Sequence, residues 1–297
     1  MKNDINIFTP LFLTLSVSVA MILSTLIENL SSLVLILVNL VPHADNVIQD
    51  LLSLFISQLI SGCLVVLVFI PFFKVKNVIY KPISINSSFK TLKLFFLLFG
   101  ITFLSGLIFT SLYTVMQWES QTGFSEIVIT KMHTNNPFNV LLFLTTVTIG
   151  AAFFEEMVYR RMLIPLLENN QLNSTIAVII SSIMFSMVHF IEDLLYGNVP
   201  GAIMHTISVF LLAIVLGIAY IETRNVIYPM IIHGVSNLLG GVNILVSLLE
   251  SESLLFWFSI LSLILLILGL GITMYSMWKF SWHKRARSLL NALNKDI

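Results

Sequence analysis

Eight stretches of this chain are each long and apolar enough to cross a lipid bilayer, and that property limits its fold more than any other. They fall at about 8–28, 51–73, 92–116, 139–167, 174–191, 202–221, 226–248 and 254–278. A helix needs about 20 apolar residues to cross ~30 Å of hydrocarbon. Of the 297 residues, 57% are hydrophobic and only 10% are charged, with a mean hydropathy of +0.98. A soluble globular chain carries about 25% charged residues. The expectation is an all-α, polytopic membrane bundle of about eight transmembrane helices, forming a single membrane domain over 1–297.

The first apolar region runs on to Val41, too far for one span. Glu28 and Asn29 mark where a helix starting at Phe8 leaves the bilayer, so 30–41 reads as an interfacial or re-entrant piece. No cleavage site follows the first apolar run, which reads as a retained helix and not a signal peptide. Cys63, the single cysteine, excludes an intrachain disulfide and any multi-cysteine metal site. The orientation follows from the basic residues. One set of alternating loops and ends holds Lys2, Lys74, Lys76, Lys81, Lys90, Lys93, Arg160, Arg161, Arg224, Lys279, Lys284, Arg285, Arg287 and Lys295, and the opposite set holds only Lys131. Both termini are expected in the cytoplasm of a multi-pass plasma-membrane protein. The basic tail 279–297 reads as a segment facing lipid headgroups, with too few charges to suggest nucleic-acid binding. Ile-, Asn- and Lys-rich usage hints at an AT-rich bacterium. The loop at about 118–137 is expected outside, closed by the turn signal Asn135-Asn136-Pro137.

Within this apolar frame a few polar residues stand out. Ionisable groups at bilayer depth are costly and usually functional. The fourth span carries Glu155 and Glu156 after a run, 139–154, that has no charge. Glu156 and Arg160 are i and i+4, so they share a face and can pair. Glu155 points ~100° away, which lets it face a cavity. The alternative is that all three charges lie at the cytoplasmic interface. The fifth span carries His189. Taken alone, it could be a hydrogen-bonded core residue. The polar turn 168–173 folds the two spans into an antiparallel hairpin. Glu155 then lies about 20 Å and His189 about 22 Å from that turn at 1.5 Å per residue. A carboxylate and an imidazole facing each other at one level can activate water. In the seventh span His233 and Asn237 are again i and i+4, two donors able to meet an oxyanion or to serve as interhelical glue. Gly234 between them permits close helix packing. The other histidines are bland: His43 and His133 in external loops, His283 in the tail, and His205 near the external start of span six as a cap or interfacial residue.

The patterns Glu155-Glu156-x-x-x-Arg160, Phe185-x-x-x-His189 and His233-x-x-x-Asn237, in this order, resemble the CAAX protease and bacteriocin-processing (CPBP, or Abi) family of intramembrane proteases. Tyr159-Arg160 resembles the family's aromatic-Arg step. Residues 216–223, with Asn225, Pro229 and His233, resemble its lead into the third motif. The resemblance covers about Leu141 to Leu239, and 139–240 is the expected catalytic core. Two departures are Arg161 and Arg224, each where the family often has Gly. Neither falls on an expected catalytic atom, and both bear on packing at the cytoplasmic rim.

The resemblance implies an intramembrane endopeptidase with a cavity open to the cytosol. Glu155, oriented with His189, would be the general base. His233 and Asn237 would form the oxyanion hole, and Glu156 and Arg160 would hold the helix and tune Glu155. Glu155, His189 and His233 could instead form a three-ligand zinc site. The chain lacks His-Glu-x-x-His, and a metal-free glutamate mechanism is the preferred reading. The implied partner is a peptide or membrane-anchored protein: a CAAX-type, leader or signalling peptide. The alternatives are a non-catalytic scaffold or bacteriocin self-immunity protein of the same family and, more remotely, a transporter with a carboxylate proton relay.

Overall fold

In a computed structural model the described residues are 46–73, 75, 137–195 and 199–248, with isolated helical positions at 92, 93, 95, 96, 100, 260, 264, 267, 268, 271 and 275. Among them every regular element is a helix. We number five. Helix α1 runs through Asn46–Leu64, Val65–Phe69 and Ile70–Phe72. Helix α2 comprises Pro137–Thr145, Thr146–Gly150, Ala151–Glu156, Met157–Leu163 and Ile164–Asn169. Helices α3, α4 and α5 are Ser174–Leu195, Val199–Thr223 and Ile227–Leu248. Four are long and apolar enough to cross a membrane, over Leu51–Phe72, Phe138–Asn169, Ser174–Ile191 and Val199–Thr223, and α5 is apolar over Ile227–Leu239. The chain is a multi-pass membrane protein. The expected spans at 51–73, 139–167, 174–191, 202–221 and 226–248 thus appear as helices. The segments 8–28, 30–41, the loop at 118–137 as far as residue 136, the tail 279–297 and most of 92–116 and 254–278 lie outside the described residues.

Both α1 and α2 contain π-helical turns, each with a local cause. The turns at Val65–Phe69 and Met157–Leu163 directly precede Ile70-Pro71 and Ile164-Pro165. A proline ring clashes with the carbonyl four residues earlier and removes one ladder bond, and widening the preceding turn relieves both. The third, Thr146–Gly150, coincides with three threonines whose hydroxyls bond back to the main chain. Thr145, Thr146 and Thr148 donate to the carbonyls of Leu141, Leu142 and Leu144 at 2.7, 2.8 and 2.6 Å. Such bonds compete with the helical ladder and bend it.

Helices α1 and α2 run parallel: Thr146 Oγ1 donates to the Leu51 carbonyl at 3.4 Å, Gly62 packs on the Phe153 ring, and Val65–Phe69 lies against Met157–Leu163. Helix α2 ends at a left-handed residue, Gln171 (φ 67°), with Gln171 N–H donating to Glu168 O at 3.0 Å and Leu172 N–H to Leu167 O at 3.3 Å. These are the two bonds of a Schellman stop. Asn173 then caps α3, its Oδ1 accepting from Ile176 N–H at 2.9 Å. The hairpin expected between the fourth and fifth spans is formed this way. Its two arms are tied where Ser181 Oγ donates to the Tyr159 carbonyl at 2.9 Å. Helix α4 packs along α3, with Gly217 against Val178, and the buried core runs through Val158, Met162, Leu163, Phe185, Ala213 and Tyr220.

The departure at Arg224 has a structural account. The residue ends α4 at φ 52°, its N–H donating to Tyr220 O at 2.6 Å. A non-glycine residue there costs about 1–2 kcal/mol. Its guanidinium offsets this by gripping Glu168 with two bonds of 2.6 and 2.8 Å, which tie the end of α4 to the end of α2. Those bonds also hold the Arg224 pKa above its ordinary value. Arg224→Ala keeps the strain and loses the clamp, so it should lower stability by about 1–2 kcal/mol. Arg224→Gly loses the clamp but removes the strain and should melt closer to wild type. Thermal unfolding of the two variants in detergent checks the order. An alanine variant as stable as the glycine one would refute this account.

Candidate active site

The candidate residues meet where α2, α3 and α5 approach one another. On α2, Glu156 is fully buried and Arg160 is 1% exposed, with Arg160 Nη1 3.1 Å from Glu156 Oε1. The i, i+4 pair expected from the spacing is present. Arg160 reaches across to α4 as well, Nη2 donating to the Ala213 carbonyl at 3.2 Å. Its guanidinium lies 4.7 Å from the centre of the Phe185 ring, a contact that adds attraction in a water-poor setting.

His233 of α5 completes the group. Its Nδ1 lies 2.8 Å from Glu156 Oε1, and its Nε2 is 3.6 Å from Glu155 Oε2. A carboxylate paired to arginine can only accept, so Nδ1 carries the hydrogen and Nε2 faces Glu155. The imidazole thus sits between the two neighbouring glutamates. The 3.6 Å separation is too long for a direct hydrogen bond. The glutamates differ in access: the Glu155 side chain is 19% exposed, the Glu156 side chain not at all. Glu156 Oε2 and Arg160 Nε, both buried, have no hydrogen-bond partner among the described residues. Left unsatisfied, each lowers stability by about 1–3 kcal/mol.

Asn237 lies one turn beyond His233. Its Nδ2 donates to the Val147 carbonyl at 2.8 Å, inside the π turn of α2. That bond uses one of its two amide hydrogens and leaves the other to point elsewhere. Close approach of α5 to this turn requires Gly234: a Cβ there would stand 2.9 Å from the Thr148 carbonyl oxygen. Gly234→Ala must push the helices apart, at about 1–3 kcal/mol, and shift His233 with them. A misplacement of ~1 Å at a reactive group can lower a rate 10²-fold. The variant should therefore lose far more turnover than its melting shift alone would explain, as kinetics and thermal unfolding measured together will show.

His189 joins through an aromatic hub whose role the motif alone does not reveal. Phe185, almost fully buried, meets Tyr159, His189 and His233 edge to face at centroid distances of 5.0, 4.9 and 5.9 Å. Phe185 thus touches both histidines and carries the Arg160 charge on its face. The clue in the sequence is its i, i+4 spacing to His189, which puts both on one face of α3. His205, read from sequence as a cap or interfacial residue, lies with its ring 5.7 Å from that of His189, and its Nδ1 is bonded to Asp193 Oδ2 at 2.6 Å.

The structure thus links Glu155, Glu156, Arg160 and His233 directly, and brings in His189 through Phe185 and Asn237 through the π turn. It places His233 beside Glu155, a neighbour that the depth argument, built on His189, did not name. Among the described residues no three His, Cys, Asp or Glu side chains converge as a metal-ligand set.

No curated protein and no solved structure matches the chain. Residues 137–239 match the family model described as type II CAAX prenyl endopeptidase Rce1-like. This match spans the segment that carries all six candidate residues and supports the family resemblance of its three motifs.

Proposed function

We propose that the protein is an intramembrane endopeptidase in which Glu155 activates water against a peptide bond. The observation that carries this reading is the division between the two glutamates. Glu156 is buried, ion-paired to Arg160 and bonded to His233 Nδ1, whereas Glu155 is partly exposed beside His233 Nε2. One carboxylate is committed to holding the site and the other has access to a substrate and water. In this mechanism Glu155 takes a proton as the water oxygen attacks the carbonyl carbon, with His189 orienting the water. The oxyanion accepts hydrogen bonds from Asn237, through its second amide hydrogen, and from Nε2–H of His233 in its imidazolium form, which keeps both ring protons from before the attack until the amine has left. The C–N bond then breaks, and Glu155 returns its proton to the leaving amine. Atoms and charge balance without a metal.

Glu156 and Arg160 act through His233 as positioning residues. The cavity opens to the cytosol, both termini lie on that side, and the substrate is a CAAX-type, leader or signalling peptide or a membrane-anchored protein. The test compares peptide termini by mass spectrometry in membranes holding wild type or Glu155→Gln. Fragments seen only with wild type, and still formed in the presence of a zinc chelator, support the metal-free protease. Identical termini in both membranes refute it, and would favour the scaffold or immunity role. Loss on chelation refutes the metal-free chemistry alone.

A further inference from the structure

Beside His189 stands a pair of residues that no motif includes. Phe185, His189 and Asp193 follow one another at i, i+4 and i+8 and so share one face of α3. Directly across, α4 presents His205. Its Nδ1 lies 2.6 Å from Asp193 Oδ2, and its ring is 5.7 Å from the His189 ring at a tilt of 42°. Phe185 meets the same His189 imidazole at 4.9 Å. The His189 ring is thus in contact with an aromatic edge from its own helix and with a second imidazole from the neighbouring one.

The geometry points to Asp193 and His205 as a positioning pair for His189. The argument is one of orientation. An ionised aspartate only accepts, so it holds the Nδ1–H tautomer of His205 and fixes the plane of that ring. The fixed ring then limits how far His189 can turn about its side-chain bonds. A histidine that orients water must be held to a fraction of an ångström, and such control comes from the groups behind it. The burial pattern agrees: Asp193 is 15% exposed although charged, while His205, at 54% exposed, adds little to the core. A residue that open contributes little to folding, so its effect can be read separately from stability.

This inference rests on the hydrolytic reading for its kinetic consequence but not for its contact. The first measurement is the rate of formation of the peptide fragments that depend on Glu155. His205→Ala and Asp193→Leu should each lower kcat about 10- to 100-fold, with KM and melting temperature unchanged. The double variant should be no slower than either single one, because both changes break the same support. Asp193→Asn keeps an acceptor for Nδ1–H and should retain most of the rate. The second measurement needs no substrate: the rate at which diethyl pyrocarbonate modifies His189, mapped by mass spectrometry, should rise in His205→Ala. Wild-type kcat in both single variants, or losses that add in the double, would overturn the pair. If wild type shows no Glu155-dependent cleavage at all, the protease reading falls, and the His189 labelling rate still decides: an unchanged rate refutes the positioning contact.

Discussion

Glu155→Gln is expected to lower cleavage by roughly 10²- to 10⁴-fold, the usual contribution of a general base, while the bundle melts as wild type does. The substitution preserves shape and replaces only the group that can take a proton from water. Glu155 is the partly exposed member of the glutamate pair, and its 3.6 Å approach to His233 Nε2 is beyond direct hydrogen bonding. A partly exposed carboxylate gives up less hydration on folding than a buried one, and its amide isostere keeps the same shape, so folding should tolerate the change. Removing that charge from a site that also holds Glu156 relieves one like-charge interaction and leaves the buried Glu156–Arg160 pair in place. Turnover and thermal unfolding on the same preparation read the two effects separately. A variant that cleaves normally would remove Glu155 from the chemistry. One that fails to fold would show that its carboxylate is structural.

Much of this arrangement was legible in the sequence, for physical reasons that differ from part to part. Apolar length alone places α1 to α5, because bilayer thickness fixes how long a spanning helix must be. The Glu156–Arg160 pair follows from helical spacing within one element, and Gly234 follows from the need for close packing between two. The position of His233 between both glutamates was not legible. It depends on the register of α5 against α2, which is set at the π turn Thr146–Gly150, where Asn237 bonds Val147 and Gly234 meets Thr148. A π turn adds a residue to one helical turn and rotates everything beyond it, so counting at 1.5 Å per residue loses register there. The sequence marks Arg224 as a departure, but the reason for it lies in the backbone: a positive φ and a carboxylate within reach. Asp193 and His205 stayed hidden because their partnership crosses between helices and shows no spacing of its own.

Arg160→Met should destabilise the protein by about 3–5 kcal/mol, the usual consequence of leaving one member of a buried ion pair alone. Glu156 is fully buried, and without Arg160 its charge keeps the His233 Nδ1–H bond at 2.8 Å but loses its cation. Glu156→Gln should be of similar severity for the opposite reason. It leaves a buried guanidinium with the Ala213 carbonyl and the Phe185 face but without the anion beside it. The double variant is the informative one. With both charges gone, neither is left uncompensated, and replacing a buried pair by neutral groups is often close to neutral for stability. It should melt far above the sum of the single losses. Cleavage should not recover with it. The amide oxygen introduced by Glu156→Gln can still accept from His233 Nδ1, but the negative charge that holds the ring is gone, and with it the position of Nε2 beside Glu155. Folding and chemistry should therefore separate: the pair is dispensable for the first once removed whole, and needed for the second. Strictly additive melting losses would show that Glu156 and Arg160 act independently. Restored cleavage in the double variant would show that the pair serves only to hold the helix.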